Sequence, residues 1–195
     1  MKAEELIKRC VHPNSDIKAQ KLEEPEIRWS YLVFLQALGK YLDYKVELGD
    51  IDYMYHYARE SLLHYARWMY ENEKLYKFMK DKLLIWTETW PAQDIRKSVV
   101  FDYAAKYSIG AERIKFLEKS EYFYNGSIED LLSFETKTLL RSMVIMMHFG
   151  VMHGYLLKHI KEFNPVTNHS FDFGKPRVFV HQKARIRNKI LCKSR

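Results

Sequence analysis

The sequence predicts an all-α protein built from antiparallel helical hairpins. Three observations carry this. Glycine and proline are scarce, at 7 and 5 of 195 residues, which disfavours turn-rich β folds. Apolar residues recur at three- and four-residue steps through almost every segment before Asn164. The breaks between these segments are short and carry helix-end chemistry.

Taken in order, a short helix is expected around Ala3 to Val11, ended by HPNS, with residues 1–24 a loosely defined lead-in. Pro25 suits a first helical turn, and the run from there to Gly49 keeps Leu32, Leu35, Leu38, Leu42 and Val46 in helical spacing, with Gly49 as its C-cap. Asp50 is a suitable cap for the next helix. Its stripe is Ile51, Met54, Ala58, Leu62, Tyr65 and Met69, ending near Glu71. So short a connection forces the two helices antiparallel. After a less regular stretch from Tyr76 to Thr89, Pro91 is expected to open a helix that runs to about Ser108 and is stopped by Gly110. Another helix spans Ala111 to Asn125, with Asn125-Gly126 as its stop and Ser127 capping a short helix from Ile128 to Phe134. The last helix covers about Thr138 to Phe163. Residues 1–163 form the helical domain and 164–195 a basic tail, whose run RVFVHQKARIRNKIL fits a strand, an induced helix or disorder.

Charge separates these two parts. The net charge is +7, and from Asn164 onward eight Lys/Arg stand against Asp172 alone, so the first 163 residues are formally neutral. A tail of this kind can neutralise nucleic-acid phosphates or meet an acidic partner, with binding that weakens as salt rises. Cys10 and Cys192 make no framework or metal-ligand spacing, which fits a reducing, cytoplasmic compartment. The N-terminus lacks an apolar signal region. The longest uncharged run, Ser142 to Leu157, is shorter than the roughly 20 residues of a spanning helix. It reads as a buried helix.

The stretch Thr87 to Ser98, TETWPAQDIRKS, crowds acids, tryptophans and an arginine around a helix start. Proline disfavours the α conformation of the residue before it, so Trp90 is expected to be extended and the helix to begin at Pro91. Glu88 and Asp94 then stand where the helix dipole stabilises anions. One reading is ordinary helix-start chemistry with core tryptophans. The other is a sugar cleft, with Glu88 and Asp94 as the catalytic acids and Trp86, Trp90 and Arg96 as the substrate-binding residues.

The run LLHYARWMYENEKL, followed by TETWPAQDIRKSVVFDYAAKYS and later TKTLLRSMVIMMHFGVMHGY, resembles the C-terminal helical part of the α/α-toroid, six-hairpin glycosidase-like proteins. The resemblance covers about Tyr31 to Phe163. It implies a partial toroid-like array around a carbohydrate cavity, with Glu88, Trp90 and Asp94 at the cavity mouth. It identifies no catalytic acid. A full toroid has six hairpins and this chain supplies about three, so the resemblance implies an incomplete part of a glycan-processing or glycan-binding protein whose uncovered end helices invite self-association.

His56, Glu60 and His64 are spaced like a metal-ligand ladder but read as a solvated polar face. No metal is expected there. His148 and His153 are about 140° apart on their helix and cannot share a ligand. Gly150 and Gly154 invite close approach of a neighbouring helix. No nucleotide-binding glycine loop, nucleophile elbow or C-x-x-C is present, so no cofactor is expected. The leading expectation is a carbohydrate-related domain. The alternative is a non-enzymatic helical interaction module.

Overall fold

The computed structural model describes residues 2–136 and 139–177. Every regular element among the described residues is a helix. They are α1 (Lys2–Cys10), α2 (Pro25–Arg28), α3 (Tyr31–Glu47), α4 (Tyr53–Asn72), α5 (Thr89–Tyr107), α6 (Gly110–Leu132) and α7 (Leu140–Ile160), with 3-10 segments at Lys18–Gln20 and Tyr76–Lys82. None is long and apolar enough to cross a membrane. The basic run from Val178 onward, including its expected contacts with nucleic acid, lies outside the described residues.

The first hairpin follows its local signals closely. Gly49 adopts φ +66° and donates its N–H to Val46 O at 3.0 Å, ending α3 where only glycine is unstrained. The cap of α4 is Asp52 rather than Asp50: its carboxylate accepts the Tyr55 N–H at 2.9 Å. Asp50 instead pairs with Lys45, which also lies 2.9 Å from Asp52. Upstream, the expected single helix divides at Trp29–Ser30 into α2 and α3.

α5 is the centre of the fold. It packs against α3, α4, α6 and α7, and Ala92, Ile95, Val99, Val100, Phe101 and Ala104 are all inaccessible. A helix covered on every side shows no amphipathic stripe. It starts two residues earlier than expected, so Trp90 is helical and Pro91 sits in the first turn. The N–H that proline lacks has no intrahelical acceptor at that position, so the preference for an extended Trp90 is overridden cheaply.

Gly110 is not a stop but the first residue of α6, at φ +58° after a connection of Ser108 and Ile109. The expected stop at Asn125-Gly126 is also absent, and α6 runs unbroken to Leu132. There Leu75 presses on the helix: a Cβ on Gly126 would lie 2.5 Å from Leu75 Cδ1. The next residue, Ser127, donates its hydroxyl to Pro91 O at 2.7 Å, fixing α6 against the first turn of α5.

Beyond α7 the described part of the tail is not a free basic arm. Residues 164–177 cross α4 as an irregular strap. Phe171 and Phe173 lie 5.3 and 5.6 Å from the Tyr53 ring. Phe173 O is 3.1 Å from His12 Nε2, and Gly174 O accepts from Asn14 at 3.0 Å.

Gly39 on α3 faces the Tyr103 ring on α5, and an added Cβ would stand 2.2 Å from Tyr103 Cγ. Tyr103 is itself 1% exposed and enclosed by the core. Gly39→Ala is therefore expected to lower stability by about 1–3 kcal/mol through overpacking, measured by urea denaturation.

Candidate functional site

The residues of TETWPAQDIRKS do not face one cleft. Trp86 stacks on Phe134 with ring centroids 5.8 Å apart, and Lys80 Nζ lies 4.7 Å over its ring. Glu88, at the lip of α5, accepts a hydrogen bond from the Thr136 hydroxyl, which holds its carboxyl below the usual range. Trp90 donates its indole N–H to Ile85 O at 3.0 Å and meets the Tyr76 ring edge-on at 5.1 Å. Arg96 bonds Gln93, reaches Gln36 at 3.3 Å, and lays its guanidinium 4.3 Å from the Phe149 ring centre.

Asp94 has no exposed surface at all. One carboxylate oxygen accepts the Tyr76 N–H at 2.9 Å, and the other lies 2.9 Å from Lys97 Nζ. Lys97 is equally buried. Its ammonium also meets Glu73 at 2.8 Å and Lys74 O at 2.5 Å, and lies 3.6 Å from the Tyr76 ring centre. Tyr31 donates to the second Glu73 oxygen at 2.6 Å. Burial pushes the Asp94 carboxyl up to about 6, against the pull of Lys97 and the Tyr76 N–H. Desolvation alone would lower the Lys97 pKa, but Asp94 and Glu73 outweigh it and hold the ammonium well above the usual lysine range. A substrate in solvent touches neither group. The sequence signal for this pair was available: an i, i+3 Asp and Lys set among Ile95, Val99 and Val100.

A second buried polar node was not legible. Ser120 Oγ is 2.5 Å from Asp102, and His153 Nδ1 is 2.7 Å from the other Asp102 oxygen. Burial raises the Asp102 pKa despite these two partners. The arrangement resembles a nucleophile relay only in composition. The same imidazole nitrogen faces both serine and aspartate, the single Ser120 O–H has Asp102 and Ser98 O as acceptors within reach, and Ser120 has no accessible surface. It ties α5, α6 and α7 together.

The ladder on α4 is not a solvated face. His56 is 3% exposed under the strap, with His169 4.7 Å and Phe171 5.7 Å away, ring to ring. Glu60 pairs with Arg59 and lies 3.8 Å from His169, while His64 turns to Ser15 O at 2.8 Å. His56 and Glu60 thus both face His169 while His64 turns away to Ser15, and no group of metal ligands occurs among the described residues.

An apolar concavity lies beside Glu88. A cavity of about 320 Å³ is bounded by Leu131, Leu132, Leu139, Met143, Met146 and Met147, with Glu88 and Thr136 among its lining residues. Ser142 also lines it, 4% exposed, its hydroxyl without a hydrogen-bond partner among the described residues. From there an apolar strip continues along the outside of α7, where Val144, Met147 and Val151 are more than half exposed. The helix expected to be buried is thus buried on one side only. No family model, curated protein or solved structure matches the chain.

Two outcomes follow from this chemistry. Lys97→Met leaves Glu73 and Asp94 buried without their cation and is expected to cost about 3–5 kcal/mol, measured by denaturant unfolding. Asp94→Asn, which keeps an acceptor for Tyr76 and leaves Glu73 on Lys97, is expected to cost less. For His56, desolvation, then His169 and Arg59, lower the pKa against the opposing pull of Glu60 and Asp52. Its folded value lies below its unfolded one, so the stabilisation is complete above about pH 6.5 and is lost as pH falls below it. His56→Gln is expected to flatten the stability profile between about pH 6.5 and 5.

Proposed function

We propose that this chain is a non-enzymatic helical interaction module whose working surface is the outer side of α7 and the methionine-lined cavity at its N-terminal end. The observation that carries the reading is the exposure of Met143, Met147 and Val151 at 51%, 70% and 75% along one helix, continuous with an apolar cavity. Large contiguous apolar surfaces mark places where another molecule docks, and methionine side chains adapt to varied apolar partners.

The carbohydrate reading has less behind it. Acid–base hydrolysis of a glycoside needs two carboxyl groups flanking one bond. Asp94 is sealed beneath Tyr76 and Lys97, while Glu88 stands at the surface with a depressed pKa, the opposite of what a proton donor needs. Trp86 already spends one ring face on Phe134.

The test compares the two surfaces. An apolar fluorescent dye is expected to bind the dilute chain, and Met147→Glu is expected to lower its signal several-fold without loss of helix by circular dichroism. The reading fails if a monomeric chain gives no dye signal. It fails equally if oligosaccharides bind saturably and Trp86→Ala abolishes that binding.

A further inference from the structure

The outer side of α7 carries three features that a single chain does not use. Leu140, Met143, Val144, Met147, Val151 and Tyr155 are each 51–75% exposed. They form a stripe at three- and four-residue steps, on the other side of the helix from buried Ile145, Phe149, His153 and Leu156. Together they expose roughly 700 Å², above the largest patch of an ordinary monomer and near the roughly 800 Å² each partner gives a stable interface. No residue from Ser142 to Leu157 is charged.

The second feature is glycine. At Gly39 and Gly126 a neighbouring side chain presses on the helix, leaving no room for a Cβ. At Gly150 and Gly154, one turn apart in α7, no described residue lies within 4 Å of where a Cβ would be. Interior glycine is unfavourable in a helix, and here no neighbour among the described residues requires it. The third feature is the buried Ser142 hydroxyl, at the cavity wall without a partner among the described residues.

We propose that this face pairs with the same face of a second copy, the two α7 helices crossing antiparallel about a two-fold axis near Phe149. The proposal rests on the interaction-module reading and names its partner. A two-fold interface meets itself, so it needs a projection and a recess on the same surface. α7 has both: the cavity beside Met143 and, toward the other end, the half-exposed Tyr155 ring. In this register Tyr155 of each copy enters the other's cavity, its hydroxyl supplying the hydrogen bond that Ser142 lacks. Val144 meets the open Gly154, and Met147 meets Val151. Gly150, beside the axis, lets the backbones approach. Antiparallel packing also sets the helix dipoles head to tail, and Arg141 and Lys158 fall at the rim, where solvent screens them.

The experiment is sedimentation of the full chain at about 10–100 µM, where a dimer is expected. Gly154→Leu, which fills the space facing Val144, and Tyr155→Asp should each raise the dimer Kd about tenfold or more, with helix content unchanged. Both positions are exposed, so the monomer tolerates them. In a Cys10→Ser, Cys192→Ser background, Val144→Cys with Gly154→Cys should give a disulfide-linked dimer on mild oxidation. A dimer indifferent to both substitutions overturns the proposal. So does a monomer whose dye signal is lost in Met147→Glu, though the interaction surface then stands. A monomer without dye signal removes both.

Discussion

One ammonium group organises the centre of this molecule. Lys97 is fully buried on the central helix, and its charge is admissible there only because Asp94, Glu73 and the Lys74 carbonyl surround it. Taking a cation out of water costs several kcal/mol unless its partners are close and well placed. That requirement fixes much else. Glu73 must come in at the end of α4, Tyr31 at the start of α3 must satisfy the other Glu73 oxygen, and the 3-10 segment must present Tyr76 both as an N–H donor to Asp94 and as a ring over the ammonium. Phe123 of α6 closes the site at 5.2 Å. Apolar packing would tolerate several registers of these elements, whereas one buried cation with two counter-ions does not.

The same network explains why a stretch rich in acids, tryptophans and arginine yields no cleft. Its acids divide, Asp94 going inward to Lys97 and Glu88 staying at the lip. Arg96 spreads over Phe149 and links α5 to Gln36 of α3. Composition placed these residues near a helix start, but the rotation of that helix about its own axis decides which of them reach solvent. Rotation is set by Lys97, two turns further in.

What could be read from sequence divides along a physical line. Met54, Ala58, Leu62, Tyr65 and Met69 share one stripe and all are buried, because a period of 3.6 is local information. Gly49 likewise caps its helix by its own φ. Gly126 was misread because turn chemistry cannot register Leu75, fifty residues earlier in the chain, pressing on the helix. His56 was placed in solvent because its cover, His169 and Phe171, lies more than a hundred residues away. α7 was read as fully buried because sequence tells that a surface is apolar and not what lies against it. The resemblance to α/α-toroid proteins concerned a whole assembly, whereas the packing around α5 concerns this chain alone.

The strap has an entropic meaning as well as a structural one. Its hydrogen bond from His12 to Phe173 joins residues 161 positions apart, and closing so long a loop in an unfolded chain costs on the order of 4–5 kcal/mol of entropy. Two exposed-edge hydrogen bonds and a few aromatic contacts do not offset that cost by themselves. Packing of the intervening helices removes that cost, because it already holds the two ends of the clasp together. In the folded chain the strap lies over Tyr53, His56 and Tyr57, so access to that aromatic cluster requires the strap to lift from α4 and leaves the Lys97 centre out of the path.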